Sequence, residues 1–232
     1  MTMNSLNRSA AAGPSATASP RQGRRRLDRR WILGATAASS AIAFLLLSLV
    51  VAAGLTQPLD DVTRETFRPG DRWGATQTRF GYMVDGLSPL VTGPLLAIGS
   101  AIAAWRDRSL RPLIFAGATG SVAVAATLAA KAAMDRSDGH GDLHGMATSY
   151  PSGHMVMLLI SAGCLLLLFV PQVRWLWAAL GVVGVMMGIS ILVVAMHWLT
   201  DVVASALLGV VLLAGAALFQ GRLPRARTEV QS

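Results

Sequence analysis

Four ionisable side chains stand next to the ends of long apolar segments: Lys131, His154, His197 and Asp201. His197 and Asp201 are four residues apart, so in a helical turn the carboxylate can orient one imidazole nitrogen and leave the other free to attack an electrophile. His154 opens another apolar segment, and a second histidine can donate a proton to a leaving oxygen. If these side chains meet, their types predict nucleophilic catalysis assisted by an acid.

The residues around His154 indicate that the electrophile is an anion. Ser152 and Gly153 begin the apolar segment, and the free backbone N–H groups and the dipole at a helix start favour an anionic ligand. Glycine also lets a ligand approach the backbone closely. Lys131, the only lysine of the sequence, and Arg136 add positive charge suited to phosphate. The combination predicts phosphoryl transfer through a phosphohistidine.

The segments that carry these residues have the composition of membrane helices. The chain has 232 residues, of which 53% are hydrophobic and 14% are charged, whereas soluble domains carry about a quarter charged residues. Six charge-free windows cover residues 31–59, 86–105, 112–130, 155–173, 175–196 and 202–221. Each is close to the ~17–25 residues that cross a bilayer as a helix, the conformation that satisfies the backbone polar groups in lipid. The sequence therefore predicts an all-α, integral membrane six-helix bundle.

The cationic side chains are distributed unequally between the connecting segments. If the N-terminus is inside, 14 of the 20 cationic residues fall in the inner segments 1–30, 106–111, 174 and 222–227. By the positive-inside rule, this asymmetry predicts that both termini are cytoplasmic and that the four ionisable residues lie at the outer face of the plasma membrane. The net charge of +8 is better explained by this topology and by contact with anionic lipid than by nucleic-acid binding.

The predicted domain organisation has one folded unit. Residues 1–30 are rich in Ser, Ala, Pro and Arg, and we expect them to form a disordered basic cytoplasmic tail. Residues 31–221 are expected to form the six-helix domain, and residues 222–232 a second cytoplasmic tail. Residues 56–85 are expected to form an outer loop with proline and glycine breakers and room for a short interfacial helix.

At the polar residues described above, the sequence resembles the type-2 phosphatidic acid phosphatase superfamily. The family pattern is KxxxxxxRP, then PSGH, then SRxxxxxHxxxD. The second motif is intact at residues 151–154, the third keeps His197 and Asp201, and the first keeps Lys131. The similarity covers roughly residues 31–218, and the membrane branch of the family has six helices with an outward-facing site.

The resemblance implies a role for each matched residue. His197 corresponds to the nucleophile, Asp201 to the carboxylate that orients it, and His154 to the acid for the leaving group. Three further residues correspond to phosphate ligands: Ser152, Gly153 and Lys131. The mechanism that the family uses needs no cofactor.

The sequence departs from the family pattern at two arginines that normally hold phosphate oxygens. The first falls on Asp138, followed by Gly139 where the family has proline, and the second falls on Ile191. We expect Arg136, two residues from the first position, to bind phosphate in their place. Three arginines of the outer loop are further candidates: Arg68, Arg72 and Arg79.

These observations leave several functions open. The first is a membrane phosphatase acting on a lipid phosphate or diphosphate. An isoprenoid carrier diphosphate of cell-wall assembly is favoured, and phosphatidic acid or phosphatidylglycerophosphate comes next. The alternative is a catalytically impaired family member that binds lipid phosphate or a protein partner, because both family arginines are missing.

A metal site is a third hypothesis. His140 and His144 are four residues apart with Asp142 between them, a spacing compatible with zinc. Two glycines in this segment disfavour a stable helix, so the hypothesis ranks below the phosphatase. A vanadate-dependent peroxidase ranks lower still, because the absent arginines would be needed to hold vanadate.

Overall fold

The computed structural model describes the backbone of residues 20–137 and 148–220, and the side chains of the same ranges from residue 28 onwards. These ranges contain eight α-helices: α1 (Pro20–Ala52), α2 (Gln57–Phe67), α3 (Ala75–Gly86), α4 (Pro89–Arg106), α5 (Arg111–Met134), α6 (Gly153–Phe169), α7 (Arg174–Val193) and α8 (Leu199–Gln220). A short 3-10 turn follows α2 at Pro69–Asp71. The described ranges contain no β-strand, which confirms the all-α prediction.

Most of these helices are suited to a bilayer. Within the described residues, five segments are long and apolar enough to cross a membrane: Asp28–Ala52, Ala75–Arg106, Arg111–Met134, Arg174–Val193 and Leu199–Gln220. Helix α6 is equally apolar but has only 17 residues. The chain therefore has the helices of an integral membrane protein, while a count of six spans, with α6 as the sixth, stays a prediction.

Two segments differ from the expected boundaries. Helix α1 begins at Pro20, inside the segment expected to be a disordered tail, and runs without a break into the first apolar window. Extending an existing helix adds a hydrogen bond for each residue that it orders, so a polar stretch can continue an apolar helix at little cost. The region 56–85 holds two helices, α2 and α3, which are separated where Gly70 adopts φ 58°.

Helix α6 is the centre of the bundle. It packs against α4, α5, α7 and α8, whereas α1 packs on the outside of α8 and α3 packs on α7. Side chains along its length are fully buried, among them Val156, Ile160 and Cys164. Since α6 is surrounded by protein, its N-terminal end is fixed relative to the ends of its neighbours.

Glycines allow α6 and α8 to approach closely. A Cβ atom added at Gly209 of α8 would lie 2.7 Å from Leu159 Cδ1 and 3.3 Å from Leu159 Cβ, on α6. A Cβ added at Gly163 of α6 would lie 2.3 Å from Leu213 Cδ2, on α8. Small residues are the usual means by which membrane helices bring their backbones together. This contact sets the position of the first turn of α8 relative to the start of α6.

We predict that Gly209→Val destabilises the protein and that Gly215→Val, on the same helix, does not. The valine at 209 would overpack the α6–α8 contact, which costs roughly 1–3 kcal/mol, whereas a Cβ at Gly215 meets nothing within 4 Å. Both changes have the same intrinsic effect on a helix, so the pair isolates the packing. Thermal unfolding of the purified protein in detergent is the measurement. Equal unfolding temperatures for the two variants would contradict the proposed packing.

Candidate active site

The residues singled out in the sequence lie at one end of the bundle, close to the ends of four helices. Lys131 is in the last turn of α5, His154 in the first turn of α6, His197 between α7 and α8, and Asp201 in the first turn of α8. Arg136 follows the C-terminus of α5. Helix α2 packs against α7 and α8. The tertiary structure thus brings together residues that are far apart in the sequence.

His197 lies beside Asp201, in the turn that precedes α8. Its Nδ1 lies 3.6 Å from Asp201 Oδ2, slightly beyond hydrogen-bond length but close enough for electrostatic attraction. The same Oδ2 accepts a hydrogen bond of 3.0 Å from the backbone N–H of Trp198. Asp201 is fully buried, and the His197 side chain is 8% exposed. The carboxylate therefore lies on the Nδ1 side of the imidazole, which leaves Nε2 as the nitrogen for chemistry.

His154 faces the same region from α6. It is half-buried and interacts electrostatically with His197, Lys131 and Asp85 of α3. The two imidazoles are therefore within electrostatic range of each other, although 43 positions separate them in the sequence. A pair of histidines, one with a carboxylate behind it, is able to combine a nucleophile with a proton donor.

Ser152 joins the start of α6 to the start of α8. Its Oγ accepts a hydrogen bond of 3.5 Å from Met155 N, so the residue is the N-cap of α6. Its backbone N–H donates to Ser205 Oγ at 2.7 Å, and Ser205 Oγ donates to the carbonyl of Asp201 at 2.6 Å. Both serines are fully buried. This chain of bonds couples the helix that carries His154 to the turn that carries Asp201.

Neither the packing nor the backbone angles require a glycine at position 153. A Cβ added at Gly153 would meet no atom within 4 Å, and its φ lies outside the left-handed region. The residue is half-buried at the first position of α6. The space beside its backbone is therefore open, as expected for a position that a ligand approaches.

Lys131 connects α5 to the segment before α6. Its Nζ donates a hydrogen bond to the carbonyl of Thr148, and Thr148 Oγ1 donates to the carbonyl of Lys131 at 3.4 Å. Lys131 also interacts electrostatically with Asp201. The lysine thus brings a positive charge to the site without a direct bond to a carboxylate.

Arg136 lies between two fully buried carboxylates. Its Nη1 donates to Asp201 Oδ1 at 2.7 Å and to Thr200 Oγ1 at 2.8 Å. Its Nη2 donates to Asp60 Oδ2 at 2.7 Å and to Gln57 Oε1 at 3.4 Å. The side chain is 12% exposed. The prediction that Arg136 binds phosphate is not tested by these contacts, which engage Nη1 and Nη2 and not the Nε–H.

Asp60 is a residue of the site that the sequence did not reveal. It lies on α2, is fully buried, and accepts hydrogen bonds from Thr200 N at 3.0 Å and from Thr200 Oγ1 at 2.7 Å. The neighbouring Asp61 is exposed, and no pattern in the sequence distinguishes the two aspartates. Only the packing of α2 on α8 separates them.

The other cations and motif positions are placed as follows. Arg68 is 7% exposed and donates from Nη1 to the carbonyl of Val194 at 2.9 Å, so it fastens the end of α2 to the end of α7. Arg72 and Arg79 are exposed on the surface. Ile191, where the family has arginine, is fully buried in an apolar cluster. Position 191 therefore offers no polar group to a phosphate.

Several predicted positions lie outside the described residues. They are Asp138 and Gly139 of the first motif and the three residues of the zinc hypothesis, His140, Asp142 and His144. Within the ranges that the structure describes, no group of three or more His, Cys, Asp or Glu side chains could hold a metal ion. The zinc hypothesis therefore stays a prediction.

Comparisons with known proteins agree on one family. Residues 106–225 match the model of the PAP2 superfamily. No curated protein matches the sequence. The fold is similar to the crystal structure of a transmembrane PAP2-type phosphatidylglycerolphosphate phosphatase from Bacillus subtilis, with a TM-score of 0.71, 19% identity, and coverage of 83% of this chain and 99% of that one.

The family match includes the residues that form the two-histidine site. It spans more than half of the chain and contains Lys131, Arg136, His154, His197 and Asp201. The similar solved structure agrees with it in overall fold. The resemblance seen in the sequence is confirmed, and the chain belongs to the PAP2 superfamily, the type-2 phosphatidic acid phosphatases.

Proposed function

We propose that the chain is a membrane phosphatase that hydrolyses a lipid phosphate through a phosphohistidine formed on His197. The observation that carries the proposal is the position of Asp201 behind His197 Nδ1, with His154 in the same site. Membership of a phosphatase family supports the reaction class. A site of this composition needs no cofactor for phosphoryl transfer.

The reaction proceeds in two displacements. His197 Nε2 attacks the phosphorus and forms a P–N bond, while the P–O bond to the lipid breaks and His154 gives a proton to the leaving oxygen. The now neutral His154 then takes a proton from water, which attacks the phosphohistidine and releases inorganic phosphate. Asp201 stabilises the positive charge that His197 carries in the intermediate and keeps its Nδ1 in a fixed orientation.

The phosphate oxygens require positive charge and N–H donors. We assign these to Lys131, to the backbone N–H groups at the open start of α6 near Gly153, and to the Nε–H of Arg136. Ser152 contributes through its hydroxyl hydrogen, because its oxygen accepts the capping bond and its backbone N–H is bonded to Ser205. Its full burial makes its expected contribution the smallest of the four.

The charges of the site favour a phosphomonoester over a diphosphate. The net charge of four side chains of the site is zero, because Lys131 and Arg136 are cationic and Asp60 and Asp201 are anionic. Arg136 is bonded to both aspartates. A lipid phosphomonoester brings less negative charge to this site than a diphosphate does. We therefore place phosphatidic acid or phosphatidylglycerophosphate before the isoprenoid carrier diphosphate that the sequence favoured. The likeness to a solved phosphatidylglycerolphosphate phosphatase supports the same order.

The second candidate function is a catalytically impaired family member that binds lipid phosphate or a protein partner. The neutralised charge of Arg136 and the apolar Ile191 favour it, because both reduce the positive charge available to phosphate. The complete set of His197, Asp201 and His154 favours the enzyme. A direct assay separates the two functions.

Removal of either histidine is predicted to abolish most phosphate release. We expect His197→Ala to lower kcat by at least about 10³-fold, since the nucleophile is lost, and His154→Ala to lower it by roughly 10²–10⁴-fold, since the acid is lost. The measurement is inorganic phosphate released by purified protein from phosphatidic acid, phosphatidylglycerophosphate and an isoprenoid diphosphate in detergent micelles. Equal rates for wild type and His197→Ala would leave only the binding function.

Gly153→Ala is predicted to weaken substrate binding without affecting the fold. The added methyl group has open space and ordinary backbone angles, so the unfolding temperature should stay within about a degree. A methyl beside the anion-binding backbone should raise KM several-fold, because the phosphate can no longer approach as closely. Gly215→Ala, where a Cβ likewise meets no atom within 4 Å, is the matched control. Unchanged KM would show that phosphate does not bind beside Gly153.

The orientation in the membrane is also a proposal. The excess of cations in the segments around α1, the α4–α5 turn and the C-terminus supports cytoplasmic termini and a site on the outer face of the plasma membrane. The outer leaflet would then supply the substrate. The fold is compatible with either orientation, so the labelling of intact cells decides it.

Two variants, each with one added cysteine, test this orientation. Arg72 and Asp107 are both exposed, at the site end of the bundle and at the α4–α5 turn respectively, and the native Cys164 is buried. A membrane-impermeant maleimide should label Arg72→Cys in intact cells and should label Asp107→Cys only after lysis. The reverse pattern would place the site on the cytoplasmic side.

A further inference from the structure

We propose that Asp60 is a positioning residue of the active site, which fixes Asp201 behind the nucleophilic histidine by holding Arg136. The inference rests on the proposed function, because it gives Asp60 a role in the reaction at His197. Asp60 lies on α2, outside residues 106–225 that match the family. The catalytic residues therefore lie within the matched region, whereas the residue that positions them lies before it.

The burial of Asp60 is the first observation. It is fully buried, although other residues of α2 are exposed or half-buried. Both of its carboxylate oxygens are used: Oδ1 accepts from Thr200 N at 3.0 Å, and Oδ2 accepts from Thr200 Oγ1 and Arg136 Nη2 at 2.7 Å each. A buried carboxylate is costly unless it is paired and hydrogen-bonded. Asp60 thus holds the first turn of α8 and Arg136 at the same time.

The division of the guanidinium between two carboxylates is the second observation. Nη2 of Arg136 is bonded to Asp60, and Nη1 is bonded to Asp201 Oδ1. Asp201 Oδ2 is thereby left to face His197 Nδ1 at 3.6 Å. An arginine prefers to bind one carboxylate through two parallel hydrogen bonds. Without Asp60, Arg136 would be free to take both oxygens of Asp201 and to withdraw the one that orients the imidazole.

The charges lead to the same conclusion. Asp60 balances the charge of Arg136, so that Asp201 acts on His197 as a carboxylate that is only partly neutralised. The charged or titratable groups nearest His197 are Asp201 from α8 and His154 from α6. Behind them lie four more charged side chains: Lys131 of α5, Arg136 of the segment after α5, Asp60 of α2 and Asp85 of α3. Loss of the negative charge at Asp60 would leave Arg136 to neutralise Asp201 more fully, which weakens the attraction between Asp201 and the imidazole of His197.

The test compares Asp60→Asn with Asp61→Asn. Asp61 is the adjacent aspartate on α2, is exposed, and is bonded only to Gln57 Nε2, at 2.8 Å, among the side chains described. We expect Asp60→Asn to lower kcat roughly 10–100-fold, the effect of a slightly misplaced catalytic group, with KM changed less than about twofold. Asp61→Asn should match the wild type, and Asp60→Glu, which keeps the charge, should recover most of the lost kcat.

A kcat of Asp60→Asn equal to that of the wild type would overturn the proposal. So would an equal loss of kcat on Asp60→Asn in the wild-type and the Arg136→Met background, because Asp60 would then not act through Arg136. If Asp60→Asn does not fold, Arg136→Lys replaces it, since lysine keeps the charge but cannot bridge two carboxylates. A wild-type kcat for Arg136→Lys would contradict the inference.

A double-mutant cycle of Asp60→Asn and Arg136→Met separates this inference from the proposed function. If the wild type and His197→Ala release phosphate equally, the proposed function fails. Thermal unfolding of Asp60→Asn, Arg136→Met and the double variant still measures the coupling between the two side chains. Non-additive shifts of the unfolding temperature are expected, and additive shifts would overturn the inference irrespective of activity.

Discussion

The ion triad of Asp60, Arg136 and Asp201 is the interaction on which the site depends. Both carboxylates are fully buried, and the guanidinium between them is 12% exposed. Burying these charges is costly, and removal of one partner from a buried pair costs about 3–5 kcal/mol because it leaves an uncompensated charge. The triad therefore forces α2, the segment after α5 and the first turn of α8 into one arrangement.

The apolar body of the bundle supplies the other constraint. Helix α6 is enclosed by four neighbours, and the close contact of Gly209 with Leu159 fixes the distance between α6 and α8. At the end of that contact, Ser152 bonds to Ser205, which bonds to the backbone of Asp201. Packing in the membrane-facing body and hydrogen bonds at its end thus act on the same pair of helices. The result is a rigid support for His154 at the start of α6 and for His197 in the turn before α8.

The structure also clarifies how the site differs from the family pattern. One of the missing arginines is replaced by Ile191, which packs in the apolar core and contributes no charge. Arg136, which lies near the other missing arginine, is bonded to carboxylates instead of lying free. These features reduce the positive charge of the site, and they are the physical basis for placing a phosphomonoester before a diphosphate.

Much of the architecture was predictable because it depends on local composition. Charge-free windows of sufficient length must form helices in lipid, and the described helices confirm the all-α prediction. The spacing of His197 and Asp201 also indicated that they lie close together, although His197 precedes α8 and does not share a helical turn with Asp201. The boundary of α1 was not predicted, because a helix that has formed extends into polar residues without a compositional signal.

The sequence by itself determined the membrane helices, the histidine motifs and the family. Each of these is recognised from a continuous apolar segment or from a short motif of closely spaced residues. Only the tertiary structure decided which of Asp60 and Asp61 is buried, and that Arg136 bonds to carboxylates from two helices. These facts depend on the docking of α2 against α8, a contact between segments 140 residues apart at Asp60 and Thr200. A pattern of local spacing carries no information about such a contact, because its energy arises only when the charged groups leave water together.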